Sequence, residues 1–413
     1  MSQEVALGDL RFTAGTPRIV AEGLGFCWYP SIRKFSTGEL IVSFSLNPDS
    51  GENLTNVEGL SLSLDNGATW QRHTDVSGVN GRLDISLPDG SLAGPNSPYK
   101  PEPLGQWRTF IGNYGRIEKG GTQYTVELWG SRIEGLPRNV NPRTVQSPTR
   151  WAEISPIGHT IELEPGRYLS TTYLTFAGDD RYSTVVMTSE DEGRTWHYLS
   201  TVATAEDGAD SWEGFCESSL VRLEDGDLMC VGRMGGGRDQ LLARAYSSDE
   251  GKTWSPIDRL PAWGVLPDVK RLSNGALVIS CGRPGLWLWF STDPRGEHWE
   301  PFDLMAHHNS EMGEAHQISP GKYGLEPVTR EQYYTVHHNF DKPDQTTSYT
   351  SMLEVEPGRL LVVYDRIPYG WMPVPTDAEV RSRILARYAV SNLAPDSMTP
   401  DERERIYLLE LNL

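Results

Sequence analysis

The sequence predicts an all-β fold, a radial array of small antiparallel sheets, on three observations. An octet of the form Ser-x-Asp-x-Gly-x-Thr-Trp occurs three times, as SLDNGATW at 63–70, SEDEGRTW at 189–196 and SSDEGKTW at 247–254. A strand, a Gly-containing turn and a second strand recur between the octets. These units read SIRKFSTGELIVSF (31–44), TIELEPGRYLSTTY (160–173), SLVRLEDGDLMCVGR (219–233), VKRLSNGALVISCGR (269–283) and MLEVEPGRLLVVYDR (352–366). The spacing is regular: Ser63 and Ser189 are 126 residues apart, about two units, and Ser189 and Ser247 are 58 apart, about one. A single such sheet cannot bury its own face, so recurrence at this period marks sheets packed side by side.

Each element has a local reason. In the octet a short Asp accepts backbone N–H groups across a tight turn, Gly supplies the positive φ, and the terminal Trp packs back onto the sheet. The octet Asp residues are therefore turn formers with no catalytic part. A fourth copy, STDPRGEHW at 291–299, carries one extra residue and lacks the Thr. The x-x-Gly turns between β-rich runs are hairpin grammar. With the weaker copy DISLPDGSL at 84–92 they predict six four-stranded antiparallel sheets in one domain, 1–413. The second sheet has lost its octet and holds a Pro-rich loop at 95–103. The alternating run IYLLELNL at 406–413, or the N-terminal region 5–20, is expected to complete a sheet edge and close the array. The long interruption at about 300–347 holds His307, His308, His316, His337 and His338. It is expected over the mouth as a rim or lid, its histidines either polar loop residues or, since two HHN clusters occur, metal ligands. The spacing lacks HxxxH and HExxH, which favours the polar-loop reading and no bound metal or cofactor.

Bulk composition excludes several function classes. Lys and Arg number 37 against 56 Asp and Glu, a net charge of −19. That field repels phosphate backbones and anionic lipid, so neither nucleic acid nor a membrane surface is an expected partner. Cys27, Cys216, Cys230 and Cys281 lie far apart with no CxxC, as free thiols in a reducing compartment do. The N-terminus MSQEVALGDLRF has neither a basic nor an apolar leader region, and no apolar run approaches the ~18 residues of a membrane span. Both features predict a cytoplasmic protein. The 13 Trp suit hairpin-rich sheets and carbohydrate-stacking surfaces.

The octet resembles the Asp-box (BNR repeat) of the sialidase (neuraminidase) superfamily, whose members are six-bladed β-propellers, and the resemblance runs from about residue 23 to 387. It implies an exo-glycosidase with its site at the axis, at the end opposite the Asp-boxes. In that family a Tyr is the nucleophile, because a phenol is not repelled by the carboxylate on the scissile carbon as Asp or Glu would be. Ser348-Tyr349-Thr350-Ser351 is similar to the family's nucleophile segment, which makes Tyr349 the candidate. Glu217, in FCESSL at 215–220, matches the Tyr-activating Glu. Arg233 and Arg283 match two of the three arginines that grip the substrate acid. A Glu and an Arg at the two ends of one apolar hairpin are costly unpaired, so Glu217 and Arg233 should pair or bind. The family's Tyr-Arg-Ile-Pro-Ser reads Cys27-Trp28-Tyr29-Pro30-Ser31 in this chain, with Trp28 in place of the first arginine and Arg33 read as a surface strand residue. Two arginines could still hold a carboxylate, or an altered substrate could stack on Trp28. The family's general acid falls near Glu52, with Asp49 beside it.

The resemblance thus implies a retaining, sialidase-type exo-glycosidase acting on an acidic oligosaccharide or glycoconjugate. Two other readings stand beside it. His159, on the expected inner strand of the third sheet, could serve with Tyr349 in a propeller-fold lyase or hydrolase of uronate-containing oligosaccharides, as Arg233 neutralises the acid. The missing arginine also fits a carbohydrate-binding propeller without catalysis.

Overall fold

The structure, a computed structural model, describes residues 3–22, 27–46, 59–73, 83–102, 108–120, 123–141, 159–235, 240–320, 345–368 and 403–413. Three short strands open the chain: β1 (Gln3–Leu7), β2 (Leu10–Ala14) and β3 (Arg18–Glu22). The first sheet is a four-stranded antiparallel meander of β4 (Trp28–Lys34), β5 (Leu40–Ser45), β6 (Gly59–Ser63) and β7 (Gln71–His73). Two further meanders follow. One is β8 (Ile85–Ser86), β9 (Leu92–Pro101), β10 (Phe110–Gly120) and β11 (Gln123–Glu134). The other is β12 (Ile161–Glu164), β13 (Arg167–Leu174), β14 (Ser183–Ser189) and β15 (Thr195–Ala203). They are not separate sheets: three residues of β11, from Arg132, pair in parallel with β15 from Thr195, which makes one eight-stranded sheet. The 12-residue β11 is long enough to reach its neighbour's outer edge, and the pairing satisfies backbone groups that two free edges would expose.

Two more meanders continue the chain: β16 (Cys216–Arg222) to β17 (Leu228–Arg233), β18 (Leu241–Ser247) and β19 (Asp258–Trp263), then β20 (Val265–Arg271) to β21 (Leu277–Gly282), β22 (Leu286–Ser291) and β23 (Glu300–Asp303). After the helix α1 (Leu304–Glu311) come β24 (Ser351–Glu356), β25 (Arg359–Arg366) and β26 (Arg405–Asn412). The last sheet takes strands from both chain ends. β26 lies between β25 on one side and both β2 and β3 on the other, with β1 outside β2.

Successive sheets share hydrophobic clusters. Ile41 and Leu62 of the first sheet pack with Leu83 and Leu92. Leu169 and Val186 pack with Leu220 and Ala245. Val231 and Leu242 pack with Ile279 and Trp289, and Val278 and Leu288 with Val362 and Leu409. Val363 and Leu408 of the last sheet pack with Val42 and Phe44 of the first.

The octets are turns between the third and fourth strands of their meanders. Asp65, Asp191 and Asp249 accept from the backbone N–H of Thr69, Thr195 and Thr253, each at 2.8 Å. Ser63, Ser189 and Ser247 accept from the N–H of the octet Gly. Gly is not alone in the left-handed region: Asn66, Glu192 and Glu250, just before it, have φ of 56°, 60° and 62°. The Trp is a staple between sheets as well as within one. Trp254 Nε1 donates to Ser200 Oγ on β15 at 3.0 Å, and Trp196 is buried among residues of β9 to β11.

The histidines of the interruption are not polar loop residues where they are described. His307 and His308 lie on α1 and are buried. His308 Nδ1 is 2.8 Å from the Tyr364 hydroxyl and its Nε2 2.8 Å from the His316 carbonyl, while His316 Nδ1 is 2.7 Å from the Tyr407 hydroxyl. Leu304 and Met305 of the same helix enter the cluster between the last two sheets. His337 and His338 lie outside the described residues.

Candidate active site

The site grows from a recurring irregularity of the first strand in a meander. In β16 the ladder register steps between Cys216 and Ser219, and Glu217 sits there at φ 44°. In β4 it steps between Trp28 and Ser31, with Tyr29 at φ 56°. In β20 it steps between Val265 and Asp268, with Leu266 at φ 41°. A bulge re-aims the side chain it carries, and a non-Gly residue at positive φ costs on the order of 1–3 kcal/mol, a strain found where function fixes the geometry. Tyr349 stands at the head of β24, directly after Ser348 at φ 63°.

These strand heads converge. The Tyr349 hydroxyl donates to Glu217 Oε1 at 2.8 Å. The same oxygen accepts from Arg233 Nη1 at 2.8 Å, and Glu217 Oε2 accepts from the Leu266 N–H at 3.0 Å. Arg233 also contacts Glu213 Oε2 through Nη2 at 2.8 Å and donates from Nε to the Gly235 carbonyl at 2.9 Å. Arg283 donates to the Thr347 carbonyl at 2.7 Å, and its guanidinium carbon lies 5.5 Å from the Tyr349 ring centroid. Tyr29 meets Tyr349 edge-on, ring centroids 4.9 Å apart. Its backbone N–H donates to Asp365 Oδ2 at 3.1 Å. Asp365 also accepts from Thr346 Oγ1, Thr347 N and Thr347 Oγ1, which ties β25 to the segment carrying Tyr349.

Burial pushes the Glu217 carboxyl up, but Arg233, the Tyr349 hydrogen bond and Arg283 more than offset it, so Glu217 lies below the usual carboxylate range. The Tyr349 phenol is driven well above its ordinary value by burial and then by the Glu217 charge, against the pull of Arg283 and Arg233. The pair is an ionised acceptor hydrogen-bonded to a protonated phenol. Asp365 is raised by burial, with its Thr347, Thr346 and Tyr29 donors acting against that.

Trp28 is 2 % exposed and packs against Tyr29, so its ring offers no face for a sugar to stack on. His159 belongs to a different group. Its Nε2 is 3.1 Å from Asp268 Oδ1 and its Nδ1 3.5 Å from Arg33 Nη2, and Arg33 pairs with Asp84. Lys270 Nζ lies 3.3 Å from Asp268 Oδ1, and Asp268 Oδ2 accepts from the Met352 N–H at 2.8 Å. Arg33 is thus a half-buried member of an inner ion cluster rather than a surface strand residue. Asp49 and Glu52 lie outside the described residues. Tyr29, Asp365 and Glu213 are the neighbours of Tyr349 and Arg233 that sequence reasoning missed. Tyr29 had a signal: Trp28-Tyr29-Pro30-Ser31, Cys216-Glu217-Ser218-Ser219 and Ser348-Tyr349-Thr350-Ser351 align on their Ser and put Tyr29, Glu217 and Tyr349 in register. Among the described residues no group of three or more His, Cys, Asp or Glu could hold a metal ion, and no helix is long and apolar enough to cross a membrane.

The family model of the BNR repeat-like domain matches residues 139–362, more than half of the chain. Among solved structures the chain is similar to the GH93 α-L-arabinofuranosidase of Fusarium graminearum (12% identity, 96% of this chain and 97% of that one, TM-score 0.56). It is also similar to an α-L-arabinanase of Penicillium chrysogenum (12%, 96% and 98%, 0.54) and to the Hadza microbial sialidase Hz136 (16%, 83% and 66%, 0.51). At these identities the likeness is one of fold. No curated protein matches the sequence.

Proposed function

The chain belongs to the BNR repeat-like domain family, and on that premise we propose that it is a glycoside hydrolase, a single-domain six-bladed β-propeller whose reaction centre is the Tyr349–Glu217 pair. The series of meanders, each packed on the next and the last on the first, supports the propeller reading. So does a likeness to glycosidases over nearly the whole chain. The observation that carries the chemistry is the 2.8 Å hydrogen bond from the Tyr349 hydroxyl to Glu217 Oε1.

The reaction follows from the pair. The phenol stays protonated at neutral pH and attacks the anomeric carbon only as its proton passes to Glu217. The C–O bond to the leaving group breaks as the bond to the Tyr349 oxygen forms. A general acid protonates the leaving oxygen, and Asp49 and Glu52 are the candidates. Water, giving its proton to the carboxylate that served as the acid, then attacks the anomeric carbon of the glycosyl–tyrosine as Glu217 returns the proton to the departing phenolate, and configuration is retained. Arg233 and Arg283 offset the negative charge that rests on Glu217 and passes to the Tyr349 oxygen as the proton moves. This chemistry serves a sialidase-type reaction on an acidic terminal sugar and a reaction on a neutral one. The uronate lyase reading is not favoured, because His159 is engaged with Asp268 and Arg33 in a separate ion cluster. A pair poised for proton transfer also speaks against a purely carbohydrate-binding role.

Tyr349→Phe keeps the ring and its packing but removes the nucleophile. Turnover should fall by roughly 10³-fold or more, with the thermal midpoint near that of the wild type. A variant of full activity would overturn the assignment.

A further inference from the structure

We propose that the glycoside taken by this site carries no carboxylate on its anomeric carbon: the substrate is a neutral sugar. The inference rests on the hydrolase reading above and narrows it. A site for an anomeric carboxylate needs guanidinium groups that a ligand can reach and that can turn toward it, in a pocket of positive charge. Arg233 is 3 % exposed, and Glu217, Glu213 and the Gly235 carbonyl engage all three of its nitrogens. Turning it toward a ligand would strip a buried carboxylate of its partner, which is strongly unfavourable. Arg283 is 5 % exposed, bonded to the Thr347 carbonyl and set against the Tyr349 ring. Where a third guanidinium would complete a clamp stands Trp28, and the Asp365 carboxylate beside it is taken by Thr346, Thr347 and the Tyr29 N–H.

The charge count points the same way. Among the described residues bonded to Tyr349, Arg233 or their neighbours, the buried carboxyls are Glu213, Glu217 and Asp365, against the guanidiniums of Arg233 and Arg283. Three buried carboxyls thus stand against two guanidiniums, on a chain whose net charge is −19. An anionic sugar would enter a site already short of positive charge. A neutral ring meets no such penalty, and the half-buried Tyr29 beside the nucleophile offers aromatic surface of the kind that sugar C–H faces pack on.

The test separates the inference from the reading beneath it. The full-length protein is titrated by calorimetry with 2-deoxy-2,3-didehydro-N-acetylneuraminate, an anomeric-type carboxylate that needs no turnover to report. The inference expects no saturation up to about 10 mM; a Kd at or below about 1 mM overturns it. In parallel, 4-methylumbelliferyl N-acetylneuraminate and a panel of 4-nitrophenyl glycosides of neutral pentoses and hexoses, in both anomeric forms, are assayed on wild type and Tyr349→Phe. Neutral probes should be cleaved at least 100-fold more efficiently, in kcat/KM, than the acidic one, and the activity should vanish in the variant. Preferential cleavage of the acidic probe, lost in Tyr349→Phe, keeps the hydrolase and overturns the neutral substrate. Cleavage of no probe counts against the hydrolase reading, and the titration still decides the inference.

Discussion

In the proposed reaction Glu217 carries two duties whose demands conflict. As a proton acceptor it must be ionised, yet it is buried, and burial favours the neutral acid. Arg233 resolves the conflict, with help from Tyr349 and Arg283, and leaves the carboxyl below its ordinary range. A depressed folded-state value means that the ionised form is favoured by the fold. The stability it lends is present above the unfolded value near ~4.3 and is lost as pH falls through the lower folded value. The acidic limb of kcat/KM, where Glu217 sets it, should therefore lie below the usual carboxylate range. Glu217→Gln should lower kcat by roughly 10²–10⁴-fold and remove that limb, which a pH profile of the residual activity checks. Unlike Tyr349→Phe it should also reduce the thermal midpoint, since Arg233 then loses a buried charged partner. How much of this was legible depended on contiguity. Glu217 and Arg233 terminate one hairpin, so their pairing could be argued from the sequence. Asp365 reaches Tyr29 across 336 residues, and nothing local marks that contact.

The elements differ in how openly they declare themselves. The Asp-box turns were readable because donor and acceptor lie within four residues and the Gly is explicit. Asp65 and Asp249 are held down to about 2, first by the Thr69 and Thr253 hydroxyls and then by their N–H groups. The inner-strand bulges were not readable, because Tyr29, Glu217 and Leu266 give no hint of positive φ. Helix α1 was hidden for another reason. Leu304, His307 and His308 fall on one face, but with two histidines in core positions the apolar period disappears. Burial pushes His308 down to about 4, so it is neutral in the fold near pH 7. The unfolded chain, near ~6.5, binds the proton more readily, so acid favours unfolding. This contribution is whole above about pH 6.5 and is lost as pH falls toward 4, on the order of 3 kcal/mol in all. Thermal midpoints measured between pH 7 and 4.5 should fall, and less steeply in His308→Phe; equal slopes in the two proteins would sink the argument.

At the scale of the whole molecule the chain ends decide whether the array holds together. β26 has strand partners on both sides, β25 from late in the sequence and β2 and β3 from its start. Ile406, Tyr407, Leu408, Leu409 and Leu411 are fully buried, divided between the cluster facing the first sheet and the one facing the fifth. The alternation of this run could be read from the sequence; that both ends share one sheet could not, because only tertiary pairing brings residue 22 beside residue 405. The same holds for the inner ion cluster, where Arg33, Asp84, His159 and Asp268 come from four different meanders. That cluster ties strands at the inner edges, while β26 ties the ends, so the two restraints act at different places on one assembly. Removing 405–413 would leave the edges of β25 and β3 unpaired and open two clusters to water. Each large buried apolar side chain lost forfeits roughly 1.5–3 kcal/mol, so the five together forfeit about as much as the ~5–15 kcal/mol that a domain has to lose. The truncated chain should show no cooperative thermal transition by calorimetry, and residual β-signal by circular dichroism without a melting step. A cooperative transition within a few degrees of the full-length protein would mean that the sheets stand without the strand joining the two ends, and the propeller reading would lose its main support.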